Sequence, residues 1–215
     1  MKTIEALVQF NFTGVKFDAC GPANNLTRWA EVINQTGHAV SIENCHWGQT
    51  VPHCHPKPDS RIGGPNPEDD GYCVGLETPS ECPYNFFRAS GDVINSFERV
   101  HHNIHTLIPF LGEPPLSMSG TWAYADGMEL GRMSGIYRDA EDRTIFGWYV
   151  ITSSPLYLGH NISDDTTNER VWQIVSNAEA IEINQQWNGH PGRLVKSWDP
   201  VGPKHRGRWG VACTT

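Results

Sequence analysis

Two charged residues alternate with apolar residues in the segment Gly14–Asp18, a pattern that predicts a short strand. Lys16 and Asp18 stand two positions apart, and residues i and i+2 of a strand share one face. Burying two charges is costly unless they are paired. The pair therefore suits either a solvated edge-strand surface or a site that uses both charges. The segment by itself leaves both alternatives open.

Further polar side chains stand where other predicted strands end. They are His46, Arg88, Asp92 and Asp126. The carboxyl ends of parallel strands meet at one face of a barrel, and active sites lie on that face. Carboxylates that arrive there from separate strands suit acid/base chemistry, including the cleavage of glycosidic bonds.

The elements that must position these residues alternate between strands and helices. The predicted strands are Gly14–Asp18, His38–Cys45, Tyr84–Ser90, the first part of Leu116–Gly131, and Pro155–Gly159. The predicted helices are Leu26–Gly37, Phe97–Ile108, Asp139–Ser153 and Thr167–Asn177. This alternation predicts parallel βα units, and both a doubly wound sheet and a (β/α)8 barrel fit it. A nucleotide-binding fold is disfavoured, because no GxGxxG or GxxxxGK[ST] motif stands at a strand–helix turn.

Composition narrows the class of protein. The chain has 215 residues, of which 38% are hydrophobic and 19% are charged, with a net charge of −8. A globular domain of ordinary size is expected. The negative charge argues against a nucleic-acid partner, and no apolar run approaches the roughly 20 residues of a membrane span. The opening segment "MKTIEALVQF" lacks the long apolar core and the cleavage site of a signal peptide.

The cysteines allow two interpretations. Three of the six lie in the Pro- and Gly-rich segment Gly48–Pro83. This segment is either a loop cross-linked by disulfides or a metal site that uses His53, Cys54 and His55. We expect no metal and no cofactor, because neither CxxC nor HExxH is present.

A second histidine pair, His101 and His105, is four residues apart on a predicted helix, so the two side chains share a face. The pair could hold a metal ion, or it could belong to an ordinary polar helix surface, which we favour. Asn-x-Ser/Thr tripeptides begin at Asn11, Asn25, Asn34 and Asn161. Together with the cysteines they favour a glycoprotein of a secreted or endomembrane compartment.

Six segments resemble, in order, those of the α-galactosidases (melibiases) of glycoside hydrolase family 27. "GVKFDACG" resembles "YLKYDNC", "NQTGHAVSIENCHWG" resembles "NRTGRPILYSLCEWG", and "FFRASGDVINSF" resembles "WRTTGDITDSW". "GTWAYADGMELG" resembles "GGWNDPDMLEVG", "FGWYVITSSPLYLGHNI" resembles "FSLWALMKAPLIIGNDL", and "AIEINQQWNGHPGRLV" resembles "VIAVNQDPLGVQGRRV". Because the order is kept from Ile4 to Val195, the set is more specific than any one segment.

The resemblance implies a retaining glycoside hydrolase that removes terminal α-linked galactose or a related sugar. Asp18 matches the catalytic nucleophile, and Asp92 matches the general acid/base. The candidate substrate contacts are Lys16, His46, Arg88, Trp122 and Asp126. Cys20 and Cys45 match a family disulfide beside the site. A carbohydrate is thus the expected partner, and the oligomeric state is left open.

The chain departs from the family pattern near the expected site. His46 stands in place of a glutamate that contacts the sugar near its 2-position, which puts the identity of the sugar in doubt. Ala123, Tyr124 and Ala125 replace Asn, Asp and Pro. The segment Gly48–Pro83 is longer than its family counterpart. Both candidate catalytic carboxylates are retained, which argues against the alternative of a catalytically dead sugar-binding remnant.

The resemblance also implies a fold and its extent. We expect a partial (β/α)8 TIM barrel, about strands 4 to 8, over residues 1–190, and the start of a C-terminal antiparallel β domain over 191–215. The counterparts of the first three βα units are not in this chain. We therefore expect a piece of a secreted, lysosomal or vacuolar enzyme whose signal peptide lies outside it. In isolation the chain should be poorly stable and nearly inactive.

Overall fold

The computed structural model describes residues 2–18, 25–45, 83–112, 115 and 117–195. Strands and helices alternate through the first part of this range, and three helices follow the last strand. The strands are β1 (Gly14–Asp18), β2 (Ser41–Cys45), β3 (Phe86–Arg88) and β4 (Trp122–Tyr124). The helices are α1 (Lys2–Gln9), α2 (Leu26–Gln35), α3 (Phe97–His105), α4 (Arg138–Ile151), α5 (Asp165–Val175) and α6 (Ala178–Gln185). A short 3₁₀ helix, Ile108–Phe110, follows α3.

The described strands form one parallel sheet in the order β1-β2-β3-β4. Asp18 pairs with Cys45 at the β1–β2 boundary, and Arg88 pairs with Tyr124 at the β3–β4 boundary. The carboxyl ends of the strands therefore lie side by side. This arrangement confirms the predicted parallel βα units and is that of a partial (β/α)8 barrel.

Side-chain alternation gives the sheet two different faces. One face packs on helices: the Phe17 ring lies 4.7 Å from that of Trp29 in α2, and the Phe87 ring lies 5.5 Å from that of Phe110. The other face carries all the charged side chains of the strands, with one thiol and one phenol, whereas the polar Asn44 lies on the packing face. By the strand register these are Lys16 and Asp18, Glu43 and Cys45, Arg88, and Tyr124. One face of the sheet thus packs against helices, and the other carries the side chains that could take part in chemistry.

Local signals fix where several helices begin. Asn25 accepts a hydrogen bond from the Arg28 amide at 2.7 Å at the start of α2, and Asp164 accepts from the Thr166 and Thr167 amides before α5. Such N-caps stabilise a helix by about 1 kcal/mol. The predicted helices are confirmed to within a few residues at each end. Helices α1 and α6 were not predicted.

Helix α4 is held to its neighbours by buried polar contacts. The fully buried Asp142 accepts hydrogen bonds from Arg170 of α5, at 2.5 Å, and from the Gly131 amide, at 3.1 Å. Asn184 of α6 donates to the carbonyl oxygens of Tyr149 and Ser154, at 2.9 and 3.0 Å. These contacts hold α4, α5 and α6 together.

The predicted strand Pro155–Gly159 is wrong, because this segment follows α4 without joining the described sheet. It nevertheless runs near β4: Ser154 Oγ donates to the Ala123 carbonyl at 2.9 Å, and the Tyr157 ring lies 5.8 Å from that of Tyr124. Pro155 has no amide hydrogen to add to a ladder. The described contact with the β4 backbone is thus made by a side-chain hydroxyl just before the predicted strand. The described part of the sheet has four strands, where five were predicted.

The other predicted strands are present but shorter. Pairing begins at Ser41 and not at His38, and it spans Phe86–Arg88 within the predicted Tyr84–Ser90. Gly192 donates to the Ile151 carbonyl at 2.9 Å, which joins the start of the predicted second domain to the end of α4. Residues 196–215 lie outside the described residues, so that domain stays a prediction. No helix within the described ranges is long and apolar enough to cross a membrane.

Candidate functional site

A buried arginine gathers two carboxylates at the carboxyl end of β3. The side chain of Arg88 is only 3% exposed. Its Nη2 donates to Asp92 Oδ1 at 2.8 Å, and its Nη1 lies 3.2 Å from Asp126 Oδ1. Asp126 also accepts from the Val93 amide, at 2.6 Å. Residues from two strand ends are thereby brought together as the sequence predicted.

The charge state of Arg88 follows from this arrangement. Burial by itself would lower its pKa. The hydrogen bond to Asp92 and the charge of Asp126 outweigh that effect, and the pKa is raised. Arg88 is therefore a permanent cation, and it presents a fixed fork of donors to carboxylates or to hydroxyl oxygens.

Asp126 lies in a strained turn directly after β4. Its φ of 74° is in the left-handed region, which costs a residue with a side chain about 1–3 kcal/mol. The Tyr149 hydroxyl donates to its carbonyl oxygen, and the Val93 amide holds its carboxylate. Strain of this kind persists only where the surroundings impose it, and it clusters at functional sites.

Glu129 lies in the same turn, with a φ of 46° and a residue exposure of 6%. One carboxylate oxygen is 3.1 Å from Arg132 Nη1. Burial raises the pKa of Glu129, although Arg132 opposes that shift. The sequence analysis did not single this residue out. The sequence could have indicated it, because Glu129 follows Asp126 by three residues within the segment "GTWAYADGMELG" that resembles the family.

On β1, Lys16 and Asp18 share the polar face, as predicted from their spacing. Both residues are exposed, and β1 is an edge strand of the described sheet. Lys16 Nζ forms its ion pair with Glu43 of β2, at 3.6 Å from Oε1. The cross-strand carboxylate is therefore a partner of Lys16 that the sequence analysis missed.

Glu43 belongs to a second contact that the sequence analysis missed. It accepts a hydrogen bond from the hydroxyl of Tyr124, which is 1% exposed. Burial raises the pKa of Tyr124 well above its ordinary value. Strand alternation could have found Glu43, because it stands two residues before Cys45 and faces the same side. No pattern in the sequence predicted its contact with a tyrosine 81 residues away.

Trp122, a candidate substrate contact, lies at the start of β4 and is partly buried. Its ring centroid is 4.9 Å from that of Trp187, in an edge-to-face contact. Trp122 shares a face with Tyr124 but precedes it by two residues, so it lies further from the carboxyl ends of the strands, where the candidate site is. Its contact with a sugar stays a prediction.

The proposed disulfide and one substrate contact involve residues that are not described. Cys20 and His46 both lie outside the described residues. Cys45 is buried at the end of β2, and it forms no disulfide within the described part of the chain. As a thiol its pKa is raised to about 11, chiefly by burial. The pairing with Cys20 stays a prediction.

Of the two alternative metal sites, the structure describes the residues of only one. His53, Cys54 and His55 lie outside the described residues. His101 and His105 share a face of α3 as predicted, and their ring centroids are 4.4 Å apart. Both rings lie near Trp148, and no group of three or more metal-ligating side chains occurs among the described residues.

Comparison with known proteins finds relatives among the α-galactosidases. No protein-family model matches the chain. The α-galactosidase mel1 of Schizosaccharomyces pombe is 26% identical over 188 residues, which are 78% of this chain and 36% of that protein. The α-galactosidase 1 of Saccharomyces cerevisiae is 25% identical over 176 residues, which are 77% of this chain and 33% of that protein. The chain thus spans about a third of the length of these relatives.

Solved structures with the same fold include a family 27 β-L-arabinopyranosidase from Geobacillus stearothermophilus. The structural alignment of this chain with that enzyme has a TM-score of 0.58 at 17% sequence identity. It covers 86% of this chain and 40% of the enzyme. A variant of the same enzyme in complex with arabinose gives a TM-score of 0.56 at 18% identity, over 86% of this chain and 41% of that one. The chain therefore resembles the α-galactosidases in sequence and glycoside hydrolase family 27 in fold, as a partial (β/α)8 barrel.

Proposed function

We propose that this chain carries catalytic machinery of an α-galactosidase-like retaining glycoside hydrolase. Its substrate would be a terminal α-linked galactose or a related sugar. The observation that carries the proposal is that Arg88 holds Asp92 and Asp126 together at the strand ends. Lys16 and Asp18 stand on the same face of the sheet. The similarity to α-galactosidases supports the assignment of these residues.

In this proposal Asp18 attacks the anomeric carbon and forms a glycosyl-enzyme bond, while Asp92 gives its proton to the leaving oxygen. Water then hydrolyses the intermediate, and Asp92 accepts the proton of that water. Lys16, Arg88 and Asp126 bind sugar hydroxyls, with His46 and Trp122 as further contacts. A retaining reaction requires the two carboxyl groups to lie about 5–5.5 Å apart.

A second candidate function is sugar binding without turnover. One observation favours it: Asp92 accepts a hydrogen bond from Arg88, whereas the acid role requires it to donate a proton. The side chain of Asp92 is 68% exposed, so it is free to turn away from Arg88. A substrate that takes over the Arg88 donors would release it for catalysis.

Covalent trapping tests the proposal, because it requires only the first step of one turnover, in which the glycosyl-enzyme bond forms. The chain is incubated with an activated 5-fluoro-α-galactosyl fluoride, and intact mass and peptides are measured. We expect one added 5-fluorogalactosyl group on the peptide that contains Asp18, with loss of the anomeric fluoride, and none in Asp18→Asn. The exposed Asp165 supplies the matched control, and Asp165→Asn should react like the unaltered chain.

The outcomes separate the two functions. Absence of the adduct together with saturable galactose binding would support the binding protein. An adduct on another carboxylate would contradict the assignment of Asp18. An analogous β-L-arabinopyranosyl reagent, which lacks the exocyclic hydroxymethyl group of the galactosyl one, reports which sugar the site prefers.

The proposed location is a secreted, lysosomal or vacuolar compartment. The cysteines and the Asn-x-Ser/Thr tripeptides support this assignment. Asn11 and Asn161 are exposed and stand in loops, where a glycan can be attached. Expression in a eukaryotic secretory host, followed by glycosidase digestion and mass measurement, tests it. Unglycosylated secreted protein would contradict the assignment.

A further inference from the structure

Two side chains of α3 donate hydrogen bonds to consecutive carbonyl groups of the loop that carries Asp92. Asn103 Nδ2 donates to the Gly91 carbonyl at 2.9 Å, and Arg99 Nε donates to the carbonyl of Asp92 itself at 3.3 Å. Arg99 and Asn103 are four residues apart, so they share one face of the helix. That face of α3 therefore contacts the backbone of the candidate acid/base residue.

Asn103 is a polar residue at a core position. It is 1% exposed and lies beside the buried Val100 and Ile104 on α3. A buried amide is costly unless it is hydrogen-bonded, and its bond to the Gly91 carbonyl meets that cost. The same carbonyl also accepts from the Ser90 hydroxyl, at 3.1 Å. Asn103 therefore supplies the bond that ties Gly91 to an element outside the loop.

Arg99 stands in the first turn of α3, where its positive charge opposes the helix dipole. The residue is exposed, yet its side chain lies against the loop and not out in solvent. A Cβ placed on Gly91 would be 3.5 Å from Arg99 Nη2. The guanidinium group thus covers the Gly91–Asp92 segment while Nε donates to it.

The carboxyl group of Asp92, unlike its backbone, has room to turn. Its side chain is 68% exposed. On the other side of Asp92, the Val93 amide donates to Asp126 Oδ2 at 2.6 Å. The main chain is therefore held before, at and after Asp92, and only the side chain can move between Arg88 and a substrate. A functional group is placed as precisely as the residues that support it allow.

We propose that Asn103 and Arg99 are positioning residues for Asp92. They fix its backbone, so that its carboxyl group reaches the leaving oxygen by rotation about its own side-chain bonds. The hold on the loop stands on contacts within this chain. Its consequence for catalysis rests on the proposed function, in which Asp92 protonates the leaving group. Neither positioning residue need touch the substrate.

Amide hydrogen exchange tests the hold on the loop without any turnover. Asn103→Leu keeps a side chain of similar size and removes the donor, and Arg99→Ala removes the guanidinium group. In each variant the neighbouring carbonyl is released, so the loop should open locally more often. We expect the Val93 amide to exchange about two- to tenfold faster, the factor that the net contribution of one hydrogen bond gives.

Matched controls separate a local effect from a general loss of stability. Asn184→Ala removes a buried amide donor from α6, and Arg143→Ala removes an exposed arginine from α4. Both should leave the exchange of Val93 unchanged. Arg99→Lys keeps a cationic donor and should restore most of the protection. If Val93 exchanges in folded Asn103→Leu and Arg99→Ala as slowly as in the unaltered chain, the proposal is overturned.

Dependence on the leaving group separates positioning from a purely structural role. An acid catalyst matters for a leaving group that must be protonated and little for one that departs as a stable anion. We therefore compare kcat/KM for methyl α-galactoside and for 2,4-dinitrophenyl α-galactoside. In Asn103→Leu the value for the methyl galactoside should fall about tenfold, because small misplacements of a catalytic group are costly. The value for the dinitrophenyl galactoside should change little, and equal losses on both would contradict the positioning role.

The two experiments keep this inference distinct from the proposed function. Faster exchange of Val93 in the variants, without turnover of either galactoside and without an adduct on Asp18, would support the hold on the loop and contradict the proposed function. Turnover together with unchanged exchange of Val93 in the variants would support the proposed function and overturn the positioning role.

Discussion

Nη1 of Arg88 lies 3.2 Å from Oδ1 of Asp126, so the end of β3 is tied to the turn that follows β4. The Asp126 side chain is 15% exposed, and the Arg88 side chain is 3% exposed. A pair this well shielded from solvent is costly to break, because a lone buried charge remains. The same contact therefore shapes the candidate site and holds the turn in its strained conformation.

Arg88→Lys should destabilise the chain, because one ammonium group cannot match the two contacts of the guanidinium fork. We expect the free energy of unfolding to fall by about 2 kcal/mol, less than the full cost of a broken buried pair, because a charge is kept. Urea unfolding measures this change. Arg28→Lys, in an exposed ion pair on α2, is the matched control and should change stability by less than about 0.5 kcal/mol. Equal effects of the two variants would contradict the prediction.

Asn184→Ala should loosen the packing of α6 on α4. The Asn184 amide donates to the carbonyl oxygens of Tyr149 and Ser154, and the residue is 8% exposed. Its removal takes the Asn184 donor from the Ser154 carbonyl, whereas the Tyr149 carbonyl keeps the Ser154 amide, so the loss should cost about 1–3 kcal/mol. Thermal unfolding reports the loss. Gln173→Ala, at an exposed position on α5, should leave the unfolding temperature nearly unchanged.

Gly131→Ala should be more damaging than Gly135→Ala, although both glycines have a positive φ. A Cβ at Gly131 would lie 2.6 Å from Thr167 Cγ2 and 3.0 Å from Val171 Cγ2, whereas one at Gly135 meets nothing within 4 Å. Both variants share a backbone cost of about 1–2 kcal/mol. The clash is added only at Gly131. Similar free energies of unfolding for the two variants would show that the α5 contact yields easily.

His105 should make stability depend on mildly acidic pH. Burial, and then the neighbouring His101 and His102, lower its pKa below 6.5. The unfolded chain thus takes up a proton at a higher pH than the folded one. The stabilising contribution of neutral His105 is present above about pH 6.5 and is lost as the pH falls through the lowered folded-state pKa.

Urea unfolding at a series of pH values tests this dependence. Between pH 7 and pH 5 the free energy of unfolding should fall less in His105→Gln than in the unaltered chain. His190→Gln, which alters an exposed residue outside the helix α3, is the control and should keep the full dependence. A His105→Gln profile parallel to that of the unaltered chain would contradict the prediction.

Local patterns in the sequence predicted most of the individual elements. Alternation marked β1, helical periodicity marked α2 and α3, and the spacing of Lys16 and Asp18 placed both on one face. These features depend on residues close together in the chain, so they can be read from it. Where tertiary interactions decide the structure, the sequence-based prediction failed: the predicted strand at Pro155–Gly159 does not pair with the described sheet, and the contact with β4 is made by the Ser154 hydroxyl just before it.

The sequence by itself determined which residue types stand at the strand ends and to which family they are similar. Only the tertiary structure decided how they are paired. Arg88 binds both Asp92 and Asp126, and Lys16 pairs with Glu43, which a tyrosine 81 residues further along the chain anchors. The reason is physical: ion pairs and hydrogen bonds act over a few ångströms in space, and the register of parallel strands sets which distant residues come within that range.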